Sequence, residues 1–142
     1  MATPVVGDLL TRLMKPTPKS LVQLLSSVGE KETIVRYPDL IEALVEAGRD
    51  PLASAVNLVE LRAAISPVGF RPSVRVQPNE LRRLTAPTLL IWGEHDPVGA
   101  VDVAQATASL IPEARLEVLP GGHVPYLGDP DRVSELVRGF VR

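Results

Sequence analysis

The chain has 142 residues, of which 45% are hydrophobic and 23% are charged, and its formal net charge at pH 7 is −2. That length corresponds to about one domain, and the hydrophobic fraction is typical of globular proteins, so a wholly disordered chain is excluded. Cysteine is absent, which excludes disulfides, thiolate metal sites and cysteine nucleophiles. No basic patch interleaved with aromatic residues is present, so nucleic acid is not an expected partner.

The sequence also lacks membrane, secretion and cofactor signals. No apolar stretch approaches the roughly 18 residues that span a bilayer, and the residues after Met1 have no signal-peptide pattern. The two histidines are not arranged as in a zinc signature, so no metal and no cofactor is expected. These features predict a cytoplasmic protein with no membrane partner.

Residues 1–66 are predicted to be helical. Apolar side chains recur there at the three- and four-residue spacing of amphipathic helices, as at Leu21, Leu24, Leu25 and Val28. Gly29 and Gly48 are expected helix ends, because glycine readily adopts the backbone conformation that terminates a helix. The predicted helices cover residues 5–14, 19–28, 38–47 and 51–65.

Residues 67–78 are rich in proline and arginine, which favours an extended connector with a short strand at 74–76. In residues 79–142 the spacing of the apolar residues changes from that of helices alone to that of strands and helices. A short helix is predicted at 79–84, and the continuous apolar run at 88–92 predicts a strand buried on both faces.

A helix at 101–110, a strand at 114–119 and a last helix that opens at Asp129-Pro130 complete the chain. The alternation of strand and helix predicts parallel strands joined by a helical crossover, which is an α/β arrangement.

One aspartate and one histidine follow the two predicted strands. Asp96 comes shortly after the first strand, and His123 follows the second, 27 positions later. Functional groups of open parallel sheets gather beyond the carboxyl ends of the strands, so the two side chains could meet there. A carboxylate bonded to one imidazole nitrogen fixes the tautomer, and the other nitrogen can then take a proton from a nucleophile or water.

The residues from Ala86 to Asp96, followed by Leu119-Pro-Gly-Gly-His123, resemble the acid loop and the histidine loop of the α/β-hydrolase family. The resemblance implies that Asp96 is the acid and His123 the base of a catalytic triad. It also implies that 79–142 is the C-terminal part of the hydrolase core and that 1–66 resembles the family's cap or lid. The expected fold is thus a partial α/β-hydrolase, with a helical cap segment followed by two parallel strands and flanking helices.

The nucleophile of that family is missing from the sequence. The family places it in a Gly-x-Ser-x-Gly elbow, and none of the eight serines has glycine two positions before and two after it. We therefore expect the 142 residues to be the latter part of a larger fold and to be inactive alone. Completed by a nucleophile-bearing segment, the site would hydrolyse an ester or related bond in a small, mostly apolar substrate.

Other interpretations of the same residues stay open. Asp96 could be a turn residue and His123 a structural loop residue, although their pairing favours the triad roles. His95 is expected at a pocket rim or in solvent, Trp92 in packing at the strand end, and Tyr126 has no assigned role. The chain could instead be an inactive remnant or an interaction module that self-associates or pairs with a complementary chain. A helical bundle with an unrelated βαβ unit is a weaker alternative.

Overall fold

The computed structural model describes residues 16–50, 52, 56, 59–60, 63–66 and 69–142. The chain divides into two compact units, each described below by its own residues. The first unit contains the described residues within Met1–Val22 and Pro38–Arg75, and the second contains Gln23–Tyr37 and Val76–Arg142. The elements in chain order are α1 (Pro18–Ser27), α2 (Lys31–Arg36), α3 (Asp39–Ala47), β1 (Ile65–Ser66), β2 (Gly69–Phe70), a 3₁₀ turn (Pro72–Val74), α4 (Pro78–Leu81), β3 (Thr88–Gly93), α5 (Val101–Leu110), β4 (Ala114–Leu119), α6 (Pro125–Gly128) and α7 (Pro130–Phe140).

In the helical segment, the predictions for 19–28 and 38–47 are confirmed by α1 and α3. The predicted helix at 5–14 and much of the one at 51–65 lie outside the described residues. Gly29 ends α1 with a φ of +86° and Gly48 is the C-terminal cap of α3, as expected. The six-residue helix α2 was not predicted, because its short sequence carries no extended apolar period.

The first unit contains a short hairpin where the sequence predicts only a connector. β1 pairs antiparallel with β2 through Ile65 and Phe70 and through Ser66 and Gly69. The predicted strand at 74–76 is wrong, since Val74 closes the 3₁₀ turn and the two residues after it belong to no strand. The physical reason is Pro72, whose fixed φ suits the first position of such a turn.

The second unit is built on two parallel strands. β3 and β4 pair in register from Thr88 opposite Ala114 to Gly93 opposite Leu119, and α5 is the crossover between them. The strand, helix, strand and helix predicted from 88 onward are confirmed, and they form the expected α/β arrangement of two parallel strands with flanking helices. Its buried apolar side chains are Leu25, Ala104, Ile111, Leu119 and Leu136.

The burial predicted for β3 is wrong. Only Gly93 of this strand is buried, and its other five residues are half-buried. Among the described residues β3 pairs only with β4, so its other edge has no neighbouring strand to cover it. Val118 on β4 and Val137 on α7 are also exposed, at 39% and 44%.

The last helix, α7, begins with the aspartate cap and the proline that its sequence predicts. The Asp129 carboxylate accepts a hydrogen bond from the Arg132 amide at 3.0 Å, and Pro130 occupies the first helical position. The short helix α6 just before it was not predicted. None of the helices in the described part of the chain is long and apolar enough to cross a membrane.

Candidate active site

The acid loop is the turn that follows β3 and carries Asp96. The Asp96 side chain is only 4% exposed. Its Oδ1 accepts hydrogen bonds from the backbone amides of Val98 at 2.7 Å and Gly99 at 3.2 Å, which is an Asx-type turn. The Trp92 indole donates to the Gly99 carbonyl at 2.6 Å, so the turn is held by bonds that span no more than seven residues.

The histidine loop follows β4 and runs from Pro120 to Val124. Gly121 has a φ of +127°, a conformation that side chains with a Cβ rarely adopt. The loop packs directly on the end of β3, because a Cβ on Gly93 would overlap the Gly122 carbonyl. The Gly121 carbonyl also accepts from the His95 amide at 2.9 Å. The two loops are thereby fixed side by side at the carboxyl ends of the strands.

This packing brings the two candidate side chains together. Nδ1 of His123 lies 2.9 Å from Oδ2 of Asp96, and the His123 side chain is 47% exposed. The geometry assigns the Nδ1 proton to this bond, because an ionised carboxylate only accepts. Among the described residues nothing bonds to Nε2, the nitrogen that this assignment leaves without the proton.

The electrostatics of the pair follow from burial and hydrogen bonding. Burial alone would raise the pKa of Asp96 by penalising its charged form. The hydrogen bond from His123 and those from the Val98 and Gly99 amides outweigh that effect and hold the pKa below its ordinary value. The carboxylate is therefore kept ionised, the state that orients an imidazole and stabilises its protonated form.

The turn between α1 and α2 also contacts the histidine loop, a contact that no sequence pattern predicts. The His123 amide donates to the Val28 carbonyl at 2.8 Å, and the Val124 amide donates to Oε1 of Glu30 at 2.8 Å. Glu30 is 1% exposed. The only available signal was Gly29, which marks a helix end but does not indicate what lies against it.

The other singled-out residues are peripheral to the pair. His95 is exposed and lines a cavity with Gly29 and Gly121, in agreement with a pocket-rim position. The Trp92 ring packs against Gly99 at the strand end, also as predicted. Tyr126 is 60% exposed. The described residues contain no group of three or more metal-binding side chains.

Comparison with known proteins gives both sequence and structural relatives. The pimeloyl-[acyl-carrier protein] methyl ester esterase of Xanthomonas axonopodis pv. citri (strain 306) is 32% identical over 99 residues, which is 66% of this chain and 39% of that one. A serine hydrolase involved in carbazole degradation (CarC enzyme) aligns with a TM-score of 0.71 at 20% identity, over 88% of this chain and 47% of its own. Est816, an N-acyl homoserine lactone degrading enzyme, aligns with a TM-score of 0.61 at 28% identity, over 92% and 53%.

The chain belongs to the α/β-hydrolase fold family. The resemblance stated from the two loops is thus confirmed at the level of the fold. No family model matches the sequence. The chain spans 39% of the length of the esterase and about half of each hydrolase structure, so the activity of a whole α/β-hydrolase is not established for it by these comparisons.

Proposed function

We propose that this α/β-hydrolase chain supplies the acid and the base of a hydrolytic active site. Asp96 is the acid and His123 the base, and the observation that carries the proposal is the 2.9 Å bond from Nδ1 to Oδ2. The bond leaves Nε2, the nitrogen that would act on substrate, on the exposed side of a ring that is 47% exposed. An aspartate and a histidine that served only as turn residues would not need this alignment.

The proposed mechanism uses the pair in two steps. Nε2 of His123 takes the proton from a nucleophilic hydroxyl as the hydroxyl attacks the ester carbonyl, and Asp96 stabilises the imidazolium that forms. His123 then protonates the leaving alcohol, which leaves an acyl intermediate on the nucleophile. Water, deprotonated by the same nitrogen, attacks that intermediate, and His123 returns the proton to the nucleophile oxygen as the acid product leaves. The pair and the nucleophile are therefore unchanged after each turnover.

The nucleophile and the oxyanion donors belong to a segment outside these 142 residues. The sequence holds no Gly-x-Ser-x-Gly elbow, so we propose that such a segment, in the same or another polypeptide, completes the site. The substrate class proposed is a small, mostly apolar ester or related compound, with no metal or cofactor. The proposed cap, within residues 1–66, would then contribute to substrate choice.

The proposal is tested by ester hydrolysis with and without a nucleophile. The chain alone should show no turnover of p-nitrophenyl butyrate above that of its His123→Ala variant. A chimera in which this chain replaces the matching part of the Xanthomonas esterase should be active, and His123→Ala in it should lower turnover by on the order of 10⁶. His95→Ala is the matched control and should leave turnover unchanged. A chimera whose turnover survives His123→Ala would contradict the proposal.

A second candidate function is an interaction module without catalysis. The observation that favours it is the edge of β3 that has no partner strand among the described residues, together with the exposed valines Val118 and Val137 of the same unit. An open, apolar edge strand is a template for pairing with another chain. This function predicts a dimer or larger species in sedimentation velocity, and a monomer that melts in one cooperative transition would count against it.

A further inference from the structure

We propose that Glu30 is a positioning residue that holds His123 in reach of Asp96. The inference rests on the proposed role of His123 as base, and it assigns a function to the buried carboxylate between α1 and α2. Glu30 does not touch the imidazole. It acts through the backbone of the histidine loop, by accepting from the amide of the next residue, Val124, at 2.8 Å.

The sequence delivers Glu30 to this place through the way α1 ends. The Gly29 amide donates to Ser26 at 3.3 Å and the Glu30 amide donates to Leu25 at 2.8 Å, with Gly29 at a φ of +86°. These two bonds form a Schellman motif, which stops the helix and turns the chain. The residue after the glycine is thereby fixed in direction, and that residue is Glu30.

The same turn binds both sides of the His123 peptide unit. The His123 amide donates to the Val28 carbonyl at 2.8 Å, and the following amide donates to Glu30. The contact is close, because a Cβ on Gly29 would lie 2.9 Å from the Gly122 Cα. Two successive amides are thus held by one turn, and the orientation of the His123 side chain follows from that of its backbone.

The carboxylate is itself held in place. Its second oxygen, Oε2, accepts from the Thr33 hydroxyl at 2.5 Å. Arg36 on the same helix donates to the Gly128 carbonyl at 3.0 Å, which fixes α2 against α6. Glu30 is 1% exposed, and the Val124 residue whose amide it accepts from is half-buried. A side chain without an acceptor at position 30 would leave that amide unpaired, so we expect the histidine loop to shift until the amide finds another acceptor.

The acid loop bonds to the histidine loop through the His95 amide and the Gly121 carbonyl, two residues before His123, and among the described residues it makes no backbone bond to His123 or Val124. Asp96 is fixed by its own turn, so the distance between the two side chains depends on where the histidine loop lies. A shift of the loop by even 1 Å would break a 2.9 Å bond. Because the Asp96–His123 distance depends on the position of the histidine loop, a positioning role of Glu30 can be told apart from a general contribution to the stability of the fold.

The test is imidazole NMR of the full chain, which is simple to assign because the sequence has only two histidines. Exchange of the His123 Nδ1 proton with water is measured in the wild type, Glu30→Ala, Glu30→Gln and Glu32→Ala. We expect exchange to be at least about tenfold faster in Glu30→Ala. Glu30→Gln keeps an oxygen for the Val124 amide and should restore slow exchange. Glu32, which is exposed in the first turn of α2, is the matched control, and its replacement should have no effect.

The outcomes separate this inference from the proposed function. A wild type without a hydrogen-bonded Nδ1 proton would overturn the Asp96–His123 pair itself. A bonded proton in the wild type that exchanges equally slowly in a folded Glu30→Ala variant would overturn only the role of Glu30. If Glu30→Ala does not fold, Thr33→Val decides, since it removes the donor to Oε2. We then expect faster exchange of the Nδ1 proton, and unchanged exchange would overturn the inference.

Discussion

The side chains of the acid loop and the backbone of the histidine loop are held in different ways. Asp96 and Trp92 bond within seven residues of sequence, and the long-range bonds of the acid loop run from the Glu94 and His95 amides to Leu119 and Gly121, at the end of β4 and in the histidine loop itself. The histidine loop depends on a turn more than 90 residues away in the sequence, through Val28 and Glu30. The acid is therefore placed by its local sequence, whereas the base is placed by tertiary structure. Substitutions in the acid loop should therefore disturb that loop alone, whereas substitutions in the histidine loop should also disturb the turn between α1 and α2.

The largest effect is expected from Gly122→Ala, which tests the long-range contact. A Cβ there would overlap the Val28 carbonyl and lie 2.7 Å from the Gly29 Cα, and both are backbone atoms that have little freedom to move. We expect a loss of about 3 kcal/mol in the free energy of unfolding, measured with urea, together with loss of the His123 Nδ1 bond.

Gly139→Ala is the matched control for that substitution. Gly139 lies within α7, and a Cβ there would meet nothing within 4 Å. Alanine is the better helix former by about 0.5–1 kcal/mol, so the control should be slightly more stable than the wild type. Equal effects of the two substitutions would show that the histidine loop does not depend on the turn at Val28 and Gly29.

An intermediate effect is expected from Asp96→Asn, and it should depend on pH. The asparagine oxygen can still accept from the Val98 and Gly99 amides, but its amide group cannot accept the Nδ1 proton. We expect the free energy of unfolding, measured with urea, to fall by about 2 kcal/mol at pH 7.

The sign of the pH dependence follows from the lowered pKa of Asp96. The unfolded carboxyl has a pKa of about 3.9, so the stabilisation is fully present above that pH and is lost as pH falls through the lower folded value. Urea midpoints of wild type and variant should converge as the pH falls through the lowered pKa of Asp96. A gap that does not change between pH 7 and the acid end of the titration would show that the carboxylate charge is not its source.

The smallest effect is expected from Trp92→Phe, which tests the local nature of the acid loop. Phenylalanine keeps an aromatic ring beside Gly99 but loses the bond from the indole to its carbonyl. We expect a loss of about 1 kcal/mol in the free energy of unfolding. Unfolding is monitored by circular dichroism, because the substitution removes the only tryptophan of the sequence. The His123 Nδ1 proton should exchange as in the wild type. Faster exchange would mean that the local bonds of the acid loop also position His123.

The same contrast explains what the sequence could and could not predict. The strands β3 and β4, the helices α5 and α7 and the pairing of Asp96 with His123 follow from local apolar runs, glycines, prolines and caps, which act within a few residues. Glu30 could not be found, because a buried glutamate has the same local pattern as a solvent-exposed one and is explained only by the distant amide that it accepts from. The burial of β3 failed for a related reason, since it depends on which strands lie beside it.

The most direct test of the pair is the tautomer of His123 in the full chain, read from its two ring ¹⁵N shifts at pH 8. The bond to Asp96 predicts a proton on Nδ1 and none on Nε2, and it predicts that this preference is lost in Asp96→Asn while His95 is unchanged. A wild-type His123 that carries its proton mainly on Nε2, or a tautomer that Asp96→Asn leaves unaltered, would contradict the proposed acid–base pair.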